Sequence, residues 1–296
     1  MRSPRCFSPR LPAPPSRSEG GLGGELAAPT PRRPFFSNLL GLALTPIVVG
    51  LAALIAPRVA VSGGVADLIA FVGAASTAVA ALSIAATSYP ALAWRAGVTS
   101  IAAVTLGIMA WTGVSSAYAV VAVDTALIAA AWGIGTSIGR RIEHAGHLLP
   151  ACVVVASADA ASVVSRFGPT HAVAESERAL SVVAIAFPVP GTSAVAPALG
   201  VGDLVFMALV FGAVAAHRLS LLRAALLCSA GIAVAGAASA LLETAVPALV
   251  PIAGAVVLGI PDARKVPPRE RRVASLAMAI AVSAAIAVIV SQLVHG

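Results

Sequence analysis

Two aspartates, Asp159 and Asp203, lie inside apolar segments that are long enough to enter a bilayer. An ionisable group within a spanning helix costs on the order of a few kcal/mol, so it marks a functional candidate whose partner should be sought. Asp159 lies about five residues before the end of one segment and Asp203 about five residues after the start of the next, or roughly 7 to 8 Å from one membrane face at the helical rise. The two carboxyl groups are therefore predicted to lie at matching depth.

Small residues around the two aspartates favour close packing of the helices that carry them. Ala156, Ala160, Gly200 and Gly202 would let the backbones approach, so that the carboxyl groups can meet. Two carboxylates in contact at low dielectric cannot both ionise easily, and they share one proton. One member then acts as a base toward water and the other as an acid toward a carbonyl, as in aspartic proteases.

The sequence offers no convincing second set of catalytic or metal-ligating residues. The five histidines all fall in or near loops, and the three cysteines lack metal-ligand spacing. His144 and His147 are three residues apart, as metal ligands often are, but beside Arg140 and Arg141 they are better interpreted as a solvated helix end. The interpretation requires no metal and no cofactor.

Three other acids lie in or beside apolar segments. Asp67 and Glu243 are near segment ends, where water is within reach, and are interpreted as interface residues. Asp124 lies about seven residues inside its segment, and a hydrogen bond to a Ser or Thr of a neighbouring helix is favoured over a catalytic role. The alternative function is a proton-coupled transporter or channel, in which these acids and the Asp159–Asp203 pair would line one path for protons.

The composition is that of a membrane protein. Hydrophobic residues make up 59% of the chain and charged residues 10%, with a mean hydropathy of +0.97. A soluble domain carries roughly a quarter charged residues. The net charge is +7, but the basic residues lie in short groups between apolar segments, which is typical of membrane topology and argues against nucleic-acid binding.

Nine apolar segments approach the length of about 20 residues that a spanning helix needs. The predicted fold is an all-α polytopic bundle of about nine transmembrane helices. The predicted spans are 36–56, 65–87, 97–113, 117–138, 148–164, 198–216, 219–242, 246–260 and 273–294.

The spans divide the chain into four parts. Residues 1–34 are rich in Pro, Arg, Ser and Gly and are predicted to be a disordered basic tail. A four-helix part covers residues 35–147, and a core with an outer loop at 165–197 covers residues 148–260. Residues 261–296 form a basic loop and one extra helix.

Positive charges predict the orientation of the chain. With the N-terminus inside, all but Arg58, Arg166 and Arg178 of the 19 Lys and Arg residues fall on the inner side. Arg far exceeds Lys and Ala is abundant, which indicates a GC-rich genome. The predicted location is a bacterial inner membrane with a cytoplasmic N-terminus.

Three motifs in order resemble the presenilin and signal peptide peptidase group of intramembrane aspartyl proteases. They are Asp159 late in one span, Gly200-x-Gly202-Asp203 opening the next, and Pro247-Ala248-Leu249 opening a later one. The resemblance implies a presenilin-like catalytic core in which Asp159 and Asp203 are catalytic. It implies that Gly200, Gly202, Pro247, Ala248 and Leu249 shape the cleft and hold substrate.

The chain also departs from that family. Ala158 stands where the family has tyrosine, four spans rather than five precede Asp159, and the span at 273–294 is an addition. A catalytically inactive homologue is therefore a further alternative.

The expected partners of an active enzyme are lipid and transmembrane or signal-peptide substrates. The β-prone segment 180–188 in the outer loop predicts that an unwound substrate binds by strand addition, and the alternative is that it is an amphipathic surface segment.

Overall fold

A computed structural model describes residues 36–88, 90–114, 116–165, 168, 173, 176–244 and 246–295. The predicted tail at 1–34 lies outside these residues. The described chain forms ten α-helices and one two-stranded sheet. The helices are α1 (Phe36–Ile55), α2 (Gly63–Ala85), α3 (Leu92–Thr112), α4 (Ala117–Gly139), α5 (Leu148–Val164), α6 (Glu177–Val183), α7 (Val201–Ala216), α8 (Leu221–Leu242), α9 (Leu249–Gly259) and α10 (Arg271–His295), and the strands are β1 (Ala184–Pro188) and β2 (Val195–Gly200).

Within the described residues, seven helices are long and apolar enough to cross a bilayer: α1 to α5, α8 and α10. Large apolar side chains point outward from them, including Ile101, 69% exposed, and Val273, 71% exposed. Such a surface requires lipid rather than water around it. The chain is thus an integral multi-pass membrane protein. Helices α7 and α9 have only 16 and 11 residues.

Three helix boundaries are explained by a side-chain cap, by a neighbouring strand and by a proline. The predicted division between the third and fourth spans is confirmed, because α3 ends at Thr112 and the Ser116 side chain caps α4 by accepting from Ala119 N. Helix α7 begins three residues later than predicted, since residues 198–200 belong to β2. Helix α9 begins at Leu249 because its first bond runs from Ile252 N to Ala248 O, and Pro251 has no N–H that could bond Pro247 O.

The tightest helix contact joins α4 to α7. A Cβ on Gly135 or Gly139 of α4 would collide with backbone atoms of Val205 and Leu209. One on Gly212 of α7 would lie 2.8 Å from Thr136 Cα. Small residues thus permit close helix packing, as expected in lipid. The contact also unites the four-helix part and the predicted core in one buried apolar cluster.

The strands β1 and β2 form an antiparallel hairpin that is held against the helices. Gly191, with φ +82° in the turn, donates its N–H to Ala56 O at the end of α1 (2.7 Å). The Phe187 ring of β1 lies against Gly73 of α2, where a Cβ would be 2.5 Å from the ring. The register shifts between Ile185 and Ala186, which marks a bulge.

The prediction of a β segment at 180–188 is right for Ala184–Pro188 and wrong for 180–183. The earlier residues belong to α6, whose start is fixed because the Ser176 side chain accepts from Ala179 N. The strand is also less accessible than expected, since Ile185 is 3% exposed. A proline at Ile185 would therefore disturb the core as well as any bound substrate.

The loops at the other end of the bundle confirm the interpretation of the two histidines. His147 pairs with Glu270, and His144 Nδ1 accepts from Gly146 N at 3.0 Å. Arg140 donates to Ala86 O at 2.7 Å and joins α4 to the end of α2. These contacts place the histidines in a polar loop cluster.

Candidate active site

Asp159 lies near the C-terminal end of α5 and reaches the start of α9. Its Oδ2 accepts a hydrogen bond from Leu249 N at 2.9 Å. The first N–H groups of a helix have no partner within that helix. Ala248, at the cap position, supplies no side-chain hydrogen bond, so Asp159 satisfies one of these groups from another helix. The first aspartate of the predicted site therefore contacts the Pro-Ala-Leu segment directly.

Asp203 is the third residue of α7 and is held by local structure. Its Oδ2 accepts from Gly200 N at 3.1 Å, which fixes the carboxyl at the helix start. Gly200 is also the last residue of β2. The hairpin therefore leads directly into the helix that carries this aspartate, and a movement of β2 would move the carboxyl group.

The two carboxyl groups lie close enough to interact electrostatically. Their helices, however, do not meet in the way the sequence suggested. Helix α5 packs mainly against α9 and α10 and only sparsely against α7, because α7 uses Gly212 to approach α4. The expectation that Ala156 and Ala160 would pack against Gly200 and Gly202 is wrong. Asp159 is positioned by its bond to α9 instead.

Gly200 and Gly202 leave space beside Asp203. A Cβ on Gly202 would meet nothing within 4 Å, and one on Gly200 would touch only Asp203 Oδ2 at 3.7 Å. Both carboxyl-bearing residues are partly exposed. The glycines thus leave open space beside Asp203, which no neighbouring helix fills.

Residues 246–248 are not helical, although an apolar segment covers them. Helix α8 ends shortly before them at Leu242, and the next residue, Glu243, has a φ of +51°, the left-handed conformation that often follows a helix end. Pro247 and Ala248 are partly buried, and Leu249 is 7% exposed. This irregular stretch brings backbone N–H and C=O groups to the level of Asp159.

The remaining acids behave differently from the pair. Asp67 and Glu243 are exposed at helix ends, in agreement with the prediction. Asp124 is 2% exposed and accepts a hydrogen bond from Ala186 N of β1 at 3.0 Å. The expected Ser or Thr partner is therefore replaced by a backbone group. No pattern in the sequence pointed to that partner, which is 62 residues away.

The described residues contain no group of three or more His, Cys, Asp or Glu side chains that could hold a metal ion. Cys152 and Cys228 are buried and free, as predicted for small apolar residues.

Comparisons with known proteins give no further information about this site. No family model, no curated protein and no solved structure matches the chain. The resemblance to presenilin and signal peptide peptidase remains a prediction based on the three motifs.

Proposed function

We propose that this chain is an intramembrane aspartyl endopeptidase that cleaves transmembrane segments of membrane proteins or signal peptides. One observation carries the proposal. Asp159 accepts a hydrogen bond from Leu249 of the Pro-Ala-Leu segment and interacts electrostatically with Asp203 of the Gly-x-Gly-Asp motif. Three short motifs that are weak individually are thus linked by one hydrogen bond and one charge interaction, and this supports a common role.

The proposed reaction is hydrolysis by water under a shared proton. One carboxylate takes a proton from water as the water oxygen bonds to the peptide carbonyl carbon, while the protonated partner gives its proton to the carbonyl oxygen. The resulting gem-diol collapses with cleavage of the C–N bond. The amine leaves with one proton, and the acid pair again holds one. No metal or cofactor is needed for this sequence of steps.

The proposed topology has nine crossings, with α7 and α9 completing the seven long spans. At the helical rise these two helices cover about 24 and 16 Å, less than the roughly 30 Å hydrocarbon core. Their first turns, which include Asp203 and Leu249, would then lie below the membrane surface. Irregular backbone is tolerated at that depth where it lines a cavity. The hairpin and residues 246–248 would form such a cavity and admit water.

The proposed orientation places the N-terminus in the cytoplasm of a bacterial cell and the hairpin on the outer side. The asymmetry of Lys and Arg supports it. Trp111 and Tyr118, 84% and 87% exposed, flank the turn between α3 and α4 on the hairpin side. Aromatic residues of this kind are enriched where membrane meets water.

The proposed substrate binds as an added strand, and β2 is the better edge for it. In the described part of the chain the sheet has only two strands, so each strand has one edge without a strand partner. On β1 that edge meets Asp124, which accepts from Ala186 N. β2 is more exposed and ends at Gly200, three residues before Asp203. A strand paired there would place a backbone carbonyl near the acid pair.

The deciding experiment measures cleavage of a reporter transmembrane peptide by purified protein in detergent. Asp159→Asn and Asp203→Asn should each lower the rate by about a hundredfold to ten-thousandfold, because proton transfer by the pair and proton sharing within it are lost. Asp67→Asn is the matched control, since Asp67 is exposed at a helix end, and should retain full activity. Retained cleavage in either Asn variant would refute the proposal.

The two alternatives predict different results in the same preparation. An inactive homologue would bind the reporter peptide without cleaving it. A proton-coupled transporter would show substrate flux in proteoliposomes, and Asp124→Asn would abolish that flux because buried aspartates carry the relay. Cleavage that depends on both members of the pair, without flux, supports the protease.

A further inference from the structure

A second polar site lies away from the acid pair, between α1, α2, α4 and β1. The site is a cavity with about 10 Å³ for the centre of a water molecule, close to the minimum for one buried water. Its polar lining comes from Thr45 of α1, Thr77 of α2, Asp124 of α4 and the backbone of Ala186. The rest of the lining is apolar, including Ile128 of α4 and Phe187.

The two threonines differ in their hydrogen bonds. Thr77 Oγ1 donates to Gly73 O of its own helix at 2.7 Å, so its hydroxyl is satisfied locally. Thr45 is 1% exposed, and its Oγ1 has no hydrogen-bond partner among the described residues. A buried hydroxyl without a partner costs on the order of 1–3 kcal/mol. Its place in the cavity wall leaves space for a small polar partner.

Asp124 connects this cavity to the hairpin. Its Oδ1 accepts from Ala186 N at 3.0 Å, next to the bulge at Ile185 and Ala186. That N–H is therefore bonded to α4 and not to β2. Asp124 fastens the outer edge of β1 to the helical bundle.

We propose that the cavity binds one water molecule that bridges the Thr45 hydroxyl and the Asp124 carboxyl group. Water fits because the space admits a single small molecule and polar groups line it, whereas apolar cavities remain dry. A divalent cation fits less well, because such ions take roughly six to eight oxygen ligands and this lining offers one carboxyl and two hydroxyls. The bridge links α1 through α4 to β1.

The consequence is a positioning role for Thr45 and Asp124. The hairpin ends at Gly200, whose N–H is bonded to Asp203. Because β1 is paired with β2, fastening β1 to α4 also restrains Gly200 at the end of β2. The water site is therefore part of what sets the position of β2. It does not depend on whether the chain is a protease.

The test substitutes valine for threonine, because the two side chains have the same shape. If the Thr45 hydroxyl faced a dry cavity, Thr45→Val would remove an unsatisfied polar group and leave stability unchanged or raised. If a water bridges it to Asp124, Thr45→Val should lower Tm in detergent and speed amide hydrogen exchange at Ala186 by about fivefold, the effect of one lost hydrogen bond.

Two further variants separate the hydroxyl from the packing. Thr45→Ser keeps the hydroxyl and should retain wild-type exchange at Ala186. Thr77→Val lines the same cavity but removes a hydroxyl that is bonded within its own helix, so it should leave the Ala186 amide protected. A Thr45→Val protein with unchanged or higher Tm and unchanged exchange overturns the proposal. All of these readouts are independent of peptide cleavage, so they can fail without affecting the proposed function.

Discussion

The Asp159 carboxyl group accepts a hydrogen bond from Leu249 N at 2.9 Å, across 90 residues of sequence. This bond gives Asp159 a structural task in addition to any catalytic one. It satisfies one N–H at the start of α9, where Ala248 supplies no side-chain cap. Loss of activity in an Asp159 variant is therefore informative only if the start of α9 is intact.

Asparagine and leucine at position 159 should separate the two tasks. Asn keeps an oxygen that can accept from Leu249 N, so Asp159→Asn should lose cleavage while its Tm changes little. Asp159→Leu should lose cleavage and also about 1 kcal/mol of unfolding free energy, the usual value of a helix cap. Thermal unfolding in detergent measures the difference. Equal Tm values for the two variants would show that the bond to Leu249 contributes nothing to stability.

Gly202 and Gly212 lie on the same helix but should respond oppositely to alanine. A Cβ at Gly202 meets nothing within 4 Å, so Gly202→Ala should keep or slightly raise stability through its better helix propensity. If substrate passes this glycine, kcat/KM should fall by roughly tenfold, mostly through KM, as expected for one extra methyl group in a pocket.

Gly212→Ala supplies the contrast. Its Cβ would lie 2.8 Å from Thr136 Cα in α4, and neither backbone can yield easily. Overpacking of this kind typically costs about 1–3 kcal/mol, so Tm should fall. If Gly202→Ala instead lowered Tm as much as Gly212→Ala, position 202 would be a packing site and not an open one.

The sequence predicted most of the helical fold because its signals are local. Apolar segments of sufficient length gave the seven long spans, and the polar turn before Ser116 correctly divided α3 from α4. Apolar periodicity cannot distinguish a short strand from a short helix, so the sequence alone predicts that residues 198–200 belong to the helix. Pairing with β1, which is a tertiary contact, makes them part of β2.

For the candidate site, too, local features could be predicted from the sequence and tertiary contacts could not. The matched depth of Asp159 and Asp203 follows from segment ends, and the structure brings the two carboxyl groups within electrostatic range. The helix that positions Asp159 could not be inferred, because small residues occur on most spans and do not specify which pair will pack. The hydrogen-bond partner of Asp124 could not be inferred either, because it is a backbone N–H, which has no side-chain signature in the sequence.

Gly73 should be needed for docking of the hairpin. A Cβ there would lie 2.5 Å from the Phe187 ring, so Gly73→Ala should displace the ring and cost about 1–3 kcal/mol. Gly64→Ala, on the same helix with nothing within 4 Å, is the matched control and should be neutral or stabilising. Thermal unfolding and hydrogen exchange of β1 report the difference.

A second substitution tests whether Phe187 causes the effect. Phe187→Leu shortens the side chain and should recover part of the stability lost in Gly73→Ala, which a double-mutant cycle would detect as a coupling energy. Additive losses in the double variant would mean that the strain at Gly73 is relieved elsewhere and that the ring is not the obstacle.

Strand addition at β2 can be tested without changing the protein. Replacing single amides of the reporter peptide by esters removes one N–H donor each. If the peptide pairs with β2, esters at alternate positions beside the cleavage site should lower kcat/KM by about fivefold, since a backbone hydrogen bond contributes about 1 kcal/mol. Esters at the intervening positions, whose N–H groups would point away from β2, are the control. An even response along the peptide would contradict strand pairing at β2 and leave the assignment of Asp159 and Asp203 untouched, because proton transfer by the pair does not require a paired strand.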